Sequence, residues 1–240
     1  MTTNFLLVHG AWQGAWVWDD VVTGLADQGA QAVAFDLPGS GDDTTAAPDV
    51  TLAGYAEAIV EKARSLPPAK RVLVGHSMGG AAITAAASIA PSLFAKLIYV
   101  CAFLPRPGES VAELSKQSHA MGAPGPQAEP IDGGTALRLL PGSIENTFLH
   151  DCPADLAARA VPRFRPQPTA PLGTPVTWSD AFESLPKEYL VCTQDRAVSP
   201  ALQAVMAARA GVRAVHMLDS GHEPFFSRPA ELVAHLVSSE

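Results

Sequence analysis

Residues 73–80 read Leu73-Val74-Gly75-His76-Ser77-Met78-Gly79-Gly80, an apolar strand pattern followed at once by an alanine-rich helix pattern. The motif G-x-S-x-G at such a junction predicts a tight strand-to-helix turn that exposes Ser77 at the carboxyl edge of a sheet. Small residues at Gly75 and Gly79 allow the neighbouring strand and helix to approach each other closely. Ser77 is therefore the candidate nucleophile, and the competing interpretation is a strand-to-helix turn with no chemical role.

Apolar strand patterns alternate with helix patterns on both sides of this turn. The predicted strands are residues 5–8, 32–35, 72–74, 97–103, 189–192 and 212–218. The predicted helices are residues 18–26, 52–65, 78–90, 200–210 and 229–237. Repeated strand–helix units of this kind predict an α/β fold with a mostly parallel sheet of about six strands, covered by helices on both faces.

The alternation is interrupted between Pro105 and Pro186, where 13 of the 21 prolines of the 240-residue chain lie. A structureless loop of about eighty residues is not expected inside a compact domain. We therefore predict that residues 1–104 and 187–240 form one α/β core, interrupted by a separate small unit at residues 105–186. Short helices are predicted within this unit at residues 142–149 and 155–160.

The composition excludes several classes of function. The chain carries 16 basic and 24 acidic residues, a formal net charge of −8, and no basic run, so nucleic acid and anionic membranes are poor partners. The three cysteines (Cys101, Cys152 and Cys192) form no CxxC pair, which argues against a disulfide framework and a zinc site. No stretch approaches the roughly 18 apolar residues of a membrane span, and no signal-peptide pattern is present. We expect a cytoplasmic protein that uses no metal or cofactor, and its oligomeric state is not predicted.

A serine nucleophile needs a base, and the base needs an acid that orients it. Among the seven histidines, His222 follows the last predicted strand in the loop at residues 219–224, where a parallel sheet presents its carboxyl edge. His222 is therefore the candidate base. The others are interpreted as packing or surface residues: His9, His76, His119, His150, His216 and His235.

Asp195 occupies the equivalent place after the strand predicted at residues 189–192. The chain order of nucleophile, acid and base is then the one expected for this type of site. The competing role for Asp195 is that of a loop-capping carboxylate. Three rival acids are less well placed, because they precede the strand or lie too close to the histidine in sequence: Asp180, Glu183 and Asp219.

Negative charge on a tetrahedral intermediate requires hydrogen-bond donors from the backbone. One candidate is the amide of Met78, the residue after the nucleophile, and the other is the amide of Ala11, in the turn after the first strand. The competing interpretation of this turn is a sharp strand exit. Trp12, next to the proposed donor, is a candidate pocket wall, whereas Cys101 is interpreted as a buried packing residue.

These motifs, in this order, resemble the α/β-hydrolase superfamily and, more narrowly, its branch of plant methylesterases of the salicylate-binding type, hydroxynitrile lyases and small bacterial esterases. The resemblance rests on residues 7–12, 14–16, 36–41, 74–80, 148–156, 191–195 and 220–222. It implies a Ser77–His222–Asp195 triad that works without a cofactor. It also implies that residues 105–186 form a cap over an apolar pocket. Candidate wall residues in this cap are Phe148, Leu149, Phe164 and Trp178.

Within this branch the triad alone does not separate ester hydrolysis from cyanohydrin cleavage. The lyases that this chain resembles carry a lysine after the catalytic histidine and commonly a threonine in the first oxyanion turn, where this chain has Glu223 and Ala11. A carboxylate at residue 223 would repel cyanide, so we expect hydrolysis of carboxylic esters of small or aromatic substrates through an acyl-enzyme. The plant esterases usually have an apolar residue there, so their substrates do not transfer directly. Lactones and bulky insecticide esters remain open as substrates, and a lyase or a small-molecule receptor is the alternative function.

Overall fold

The computed structural model describes residues 3–239, and nine strands lie in this range. They are β1 (Thr3–Val8), β2 (Gln31–Ala34), β3 (Lys70–His76), β4 (Lys96–Val100), β5 (Ala128–Ile131), β6 (Ala136–Leu139), β7 (Gln167–Pro168), β8 (Lys187–Cys192) and β9 (Ala214–Leu218). Six of them form one parallel sheet in the order β2-β1-β3-β4-β8-β9. This confirms the predicted α/β fold with a six-stranded sheet. Residues 1, 2 and 240, which the predicted core includes, lie outside the described range.

Ten α-helices occur within residues 3–239, and α2 is the longest of them with 14 residues. They are α1 (Asp19–Asp27), α2 (Leu52–Ser65), α3 (Gly79–Ile89), α4 (Val111–Ala120), α5 (Ala154–Ala160), α6 (Ala170–Gly173), α7 (Asp180–Glu183), α8 (Pro200–Arg209), α9 (Pro224–Ser227) and α10 (Pro229–Ser238). None of the helices described is long and apolar enough to cross a lipid bilayer. The five core helices predicted from the sequence correspond to α1, α2, α3, α8 and α10, and each end agrees to within one residue.

The sheet is covered on both faces, which explains why its strands are almost wholly apolar. Alternate residues of β1 point to opposite faces. Leu6 belongs to the hydrophobic cluster that includes α2 and α3, whereas Phe5 belongs to the cluster that includes α1 and α10. Leu6 pairs with Leu73 of β3, so apolar side chains align in rows across the strands. Because the six strands are parallel, the loops that follow β1, β3, β8 and β9 all meet at one edge.

β4 ends at Val100, three residues before the end predicted from the sequence. Cys101 adopts a φ of +37°, which turns the chain out of the sheet. The following residues pack against the serine turn, where the Phe103 N–H donates to the Ser77 carbonyl at 2.9 Å. The prediction of a strand to residue 103 was wrong because an apolar run does not by itself distinguish a strand from a buried connection.

The segment between β4 and β8 contains α4 to α7 and a second, antiparallel sheet in the order β5-β6-β7. α5 overlaps the helix predicted at residues 155–160, whereas the helix predicted at residues 142–149 is a single π-helical turn at Ile144–Phe148. α4 and the three strands are absent from the sequence prediction. α4 begins with a capping box in which Ser110 and Glu113 bind each other's backbone N–H, a signal that the sequence carries as S-x-x-E.

The substitution Gly80→Ala tests the close packing of α3 against the segment after β4. A Cβ atom at Gly80 would overlap the Phe103 carbonyl oxygen and lie 2.8 Å from the Ala102 Cβ, so Gly80→Ala forces the two segments apart. We expect the free energy of unfolding, measured by urea denaturation, to fall by about 1–3 kcal/mol, the usual cost of overpacking. The matched control is Gly173→Ala, whose Cβ would have no described neighbour within 4 Å and should change this free energy by less than about 0.5 kcal/mol. An unchanged urea midpoint for Gly80→Ala would contradict the packing.

Candidate active site

Ser77 lies in the turn between β3 and α3, at the carboxyl edge of the sheet. Its φ of +53° is in the left-handed region, which a serine rarely adopts. The glycines around it have no space for a side chain. A Cβ at Gly75 would lie 2.8 Å from the Gly79 carbonyl oxygen, and a Cβ at Gly10 would lie 2.9 Å from the Ser77 Cβ. The geometry is therefore that of the tight turn that the G-x-S-x-G motif predicts.

Asp195 and His222 form a hydrogen-bonded pair at the same edge. Asp195 lies in the loop after β8 and His222 in the loop after β9, and His222 Nδ1 is 2.8 Å from Asp195 Oδ2. Both side chains are at most 1% exposed. With Nδ1–H donating to the carboxylate, His222 Nε2 is the basic nitrogen, and it has no hydrogen-bond partner within residues 3–239. The pair can therefore accept a proton at Nε2.

The Asp195 carboxylate is hydrogen-bonded at both oxygens. Oδ1 accepts from the N–H groups of Ala197 and Val198 at 2.8 and 2.9 Å, and Oδ2 also accepts from Gln203 Nε2 at 2.8 Å. Gln203 is itself fixed, because its Oε1 accepts from the Cys192 N–H at 3.1 Å. Asp195 thus caps its own loop and orients the histidine at the same time. No sequence signal separates Gln203 from the other polar residues of α8.

The three rival acids lie elsewhere. Asp219 is exposed, and its Oδ1 accepts from Thr193 Oγ1 at 3.2 Å and from Gln194 Nε2 at 3.1 Å. Asp180 and Glu183 lie in the first turn of α7 and are also exposed. None of these carboxylates is paired with His222 in the described structure, which leaves Asp195 as its acid.

The surroundings of His222 favour its charged form. Burial opposes the positive charge, but the charge of Asp195 and the hydrogen bond to it outweigh burial, so the pKa of His222 is raised above its ordinary value. The charge of Asp151 acts in the same direction as that of Asp195. The Phe148 ring packs against the imidazole with 5.5 Å between centroids. The imidazolium that forms when His222 takes a proton is therefore stabilised in place.

Backbone groups next to His222 are held by three further side chains. The His222 carbonyl accepts from His76 Nε2 at 2.8 Å and from Cys101 Sγ at 3.3 Å, and the Gly221 N–H donates to Asp151 Oδ2 at 2.6 Å. Burial and the nearby His222 lower the pKa of His76 well below its ordinary value. Burial raises the pKa of the Cys101 thiol, which agrees with its interpretation as a packing residue. His76 packs, as expected, but it also supports the loop of the candidate base.

Two glutamine side chains hold the turn after β1. Gln13 Oε1 accepts from the Gly10 N–H at 3.2 Å, and Gln167 Oε1 accepts from the Trp12 N–H at 3.1 Å. The Ala11 N–H between them has no acceptor in the described part of the chain. Neither glutamine is among the residues expected from the sequence, and Gln167 reaches the turn from 155 residues further along the chain.

A cavity of about 690 Å³ opens over Ser77. Ala11 and Met78, whose amides are the proposed oxyanion donors, both line it, and the Met78 N–H also has no acceptor among residues 3–239. Most of the remaining lining comes from residues between 111 and 173. The walls are mainly apolar and include Phe103, Val111, Leu137, Phe148 and Leu172.

Two of the five candidate wall residues, Trp12 and Phe148, line the cavity. Leu149, Phe164 and Trp178 are not among the residues that line this cavity, and their side chains pack into hydrophobic clusters. Leu149 is only 3% exposed, and the Phe164 ring packs 5.7 Å from that of Phe148. Trp178 stacks at 4.9 Å on a neighbouring phenylalanine of the main core. In a segment without regular periodicity, the sequence does not predict whether an aromatic side chain faces the cavity or the core.

Glu223 is completely buried and is not among the residues that line the cavity. Gln13 Nε2 donates to Glu223 Oε1 at 2.6 Å, and Glu223 Oε2 has no partner in residues 3–239. Burial raises the pKa of Glu223 to about 8, so the carboxyl group is predominantly protonated at pH 7. The expectation of a charged carboxylate that repels cyanide from the pocket is therefore wrong. The remaining difference from the lyases at this position is that the chain has no lysine there.

Two clusters could in principle offer several ligand atoms to a metal ion. The ligand atoms of His76, Cys101 and His222 lie within 4.8 Å of one another, but the first two donate hydrogen bonds to the His222 carbonyl. The second cluster is at the amino end of β8, away from Ser77, and there Glu188 Oε1 is bound by Lys96 Nζ at 2.7 Å. Each cluster thus has at least one member engaged in an internal bond, and we assign no metal site to either.

Comparison with known proteins places the chain in a family. The family described as the alpha/beta hydrolase family matches residues 5–235. A relative from Arabidopsis thaliana that carries the name "Putative methylesterase 13, chloroplastic" is 33% identical over 98% of this chain, and the chain spans only 56% of that relative's length. Methylesterase 7 of Arabidopsis thaliana is 31% identical over 98% of this chain and 95% of its own. The crystal structure of the methylesterase MES16 from Arabidopsis has a TM-score of 0.86 at 24% identity, with 99% of this chain and 98% of its own covered. The chain belongs to the alpha/beta hydrolase family.

Proposed function

We propose that this protein is a serine hydrolase that cleaves carboxylic esters of small or aromatic substrates through an acyl-enzyme. The observation that carries the proposal is the buried Asp195–His222 pair at the same sheet edge as the strained Ser77 turn. The two Arabidopsis relatives that bear the name methylesterase support ester cleavage. Membership of a family of hydrolases supports water as the second reactant.

The proposed reaction begins with attack of Ser77 Oγ on the ester carbonyl carbon. His222 Nε2 takes the hydroxyl proton, and the Nδ1–H bond to Asp195 keeps the imidazole in the tautomer that can do so. His222 then gives the proton to the leaving alcohol, which leaves an acyl group on Ser77. In the second half, His222 Nε2 takes a proton from water while the water oxygen attacks the acyl carbon. The bond from this carbon to Ser77 Oγ then breaks, the acid is released, and His222 returns the proton to Ser77 Oγ.

The oxyanion of each tetrahedral intermediate is assigned to the Ala11 and Met78 N–H groups. Both residues line the cavity beside Ser77, and both N–H groups are free of acceptors within the described range. Each donor of this kind typically lowers the barrier by about 3 kcal/mol. The positive end of α3, which begins at Gly79, adds a favourable dipole at the same place.

The segment at residues 105–186 is assigned as the cap that selects the substrate. It contributes Val111, Leu137, Phe148 and Leu172 to the cavity walls, so the acyl or alcohol group would contact it directly. An apolar cavity of about 690 Å³ suits a compact or aromatic ester better than a peptide or polysaccharide. Methyl esters, aryl esters and lactones all fit this description.

Ser77→Ala tests the nucleophile. We expect hydrolysis of an activated aryl acetate, followed by release of the phenol, to fall by at least about 10⁴-fold, because the acyl-enzyme cannot form. The matched control is Ser115→Ala, since Ser115 also lines the cavity but has no assigned role in the chemistry, and this variant should keep its turnover. Full turnover by Ser77→Ala would show that the assignment is wrong.

The acid limb of the pH profile tests the Asp195–His222 pair. The base must be neutral to accept a proton, and its pKa is raised, so kcat/KM should fall as the pH drops through a midpoint above 6.5. Asp195→Asn removes the charge that raises this pKa, so the midpoint should move to lower pH while the plateau falls by about 10²–10⁴-fold. Asp219→Asn, in an exposed carboxylate of the neighbouring loop, should move neither. Equal midpoints in wild type and Asp195→Asn would contradict the pairing.

Cyanide release from mandelonitrile separates a hydrolase from the lyases of the same branch. We expect a rate no higher than the uncatalysed background, because the residue after His222 is Glu223 and supplies no cation to hold cyanide. The measurement is a colorimetric cyanide assay in parallel with ester hydrolysis by the same preparation. Cyanide release that depends on Ser77 would favour the lyase instead.

A further inference from the structure

A series of hydrogen bonds links the turn after β1 to the loop that carries His222. Gln13 lies in the middle: its Oε1 accepts from the Gly10 N–H at 3.2 Å, and its Nε2 donates to Glu223 Oε1 at 2.6 Å. Both side chains are buried, with Gln13 1% and Glu223 0% exposed. Because one end of the carboxamide accepts and the other donates, only one orientation of the Gln13 side chain makes both bonds.

The direction of the Ala11 N–H depends on the same turn. This N–H and the Gly10 carbonyl belong to one planar peptide group, so fixing one fixes the other. The Gly10 carbonyl accepts from His9 Nδ1 at 2.8 Å, while the Gly10 N–H is bound by Gln13. The two peptide groups that flank Gly10 are thus each held by a side chain. Ala11, whose N–H belongs to the second of these groups, lines the cavity over Ser77.

We propose that Glu223 is a positioning residue for ester hydrolysis: through Gln13 it holds the His9–Gly10 peptide, and with it the turn from which the Ala11 N–H points at the developing oxyanion. The inference rests on the proposed function. Glu223 touches neither substrate nor Ser77 in this role and acts only through the oxyanion turn.

The chemistry of Glu223 argues against a purely structural role. Its Oε2 has no partner among the described residues, and a buried carboxyl group with unmet hydrogen-bonding capacity costs stability that an apolar side chain of similar size does not. Burial raises the pKa of Glu223 to about 8, so the group acts mainly as a neutral acceptor for Gln13. The ionisable groups that influence it or are influenced by it are His222, Asp195, Asp151, Cys101 and Cys152.

The first test compares Glu223→Met with Glu223→Gln in steady-state ester hydrolysis. Methionine removes the acceptor for Gln13, so kcat should fall by about 10–100-fold, part of the loss expected for a whole oxyanion donor, while KM changes by less than about twofold. Glutamine keeps an acceptor oxygen and should retain at least about a third of the wild-type kcat. Gln13→Met breaks the same bridge from its other end and should reproduce the loss, whether or not Glu223→Met folds. The matched control is Glu231→Met, at an exposed glutamate of α10, which should keep the wild-type kcat.

A second readout separates positioning from general damage. Phenylboronic acid binds to a serine hydrolase as a tetrahedral adduct that places an oxygen in the oxyanion site, so its Kd should weaken in Glu223→Met by about the same factor as kcat. A Glu223→Met variant with wild-type kcat and boronate affinity, or a loss that Glu223→Gln shares in full, would overturn this inference alone. Ser77→Ala that retained turnover would overturn the proposed function and this inference together.

Thermal unfolding gives an independent check on the buried carboxyl group. The pKa of Glu223 is about 8 in the folded protein and 4.5 in its unperturbed state, so this carboxyl group ionises at lower pH in the unfolded chain than in the folded one. As the pH rises between these two values, wild type therefore loses stability relative to Glu223→Gln. We expect the Tm of Glu223→Gln to exceed that of wild type by more at pH 8 than at pH 5. A Tm difference that does not change with pH would show that burial does not hold Glu223 in its neutral state.

Discussion

The close approach of β1, β3 and α3 around Ser77 is the constraint on which the rest of the site depends. A Cβ at Gly79 would lie 2.6 Å from the His9 carbonyl oxygen, and a Cβ at Gly10 would lie 2.9 Å from the Ser77 Cβ. Because these backbones are in contact, the serine turns through a positive φ, and the loop that contains Ala11 comes to lie beside it. The position of Ser77 therefore follows from the packing of the backbone around it.

Behind this contact, the site is built from buried polar groups that restrain one another. Asp195 is bound by two backbone amides and by Gln203, and the His222 carbonyl is bound by His76. Polar groups removed from water are costly unless they are paired, so a network of this kind favours a single arrangement. Three atoms of this network have no described partner, namely His76 Nδ1, His222 Nε2 and Glu223 Oε2, and unpaired buried groups of this kind are where function is to be sought.

The sequence was sufficient to predict the six strands, the five core helices and the edge of the sheet that carries the site. Their periodicity is regular, and the loops of Asp195 and His222 had to meet because the strands are parallel. Gln167 could not be predicted, because it reaches the oxyanion turn from a segment without regular periodicity. The wall residues depend on which side of that segment faces inward, and the protonation of Glu223 depends on complete burial. These are properties of tertiary packing that local patterns do not contain.

Gln167 joins the segment between β4 and β8 to the core of the protein. Its Oε1 accepts from the Trp12 N–H, and its Nε2 donates to Tyr55 Oη at 3.1 Å, so one side chain joins this segment to both the turn after β1 and helix α2. The geometry of the turn after β1 is therefore completed only when this segment has docked on the core. A chimera that takes this segment from a relative has to keep Gln167, or supply another acceptor for the Trp12 N–H, to preserve the geometry of the turn after β1.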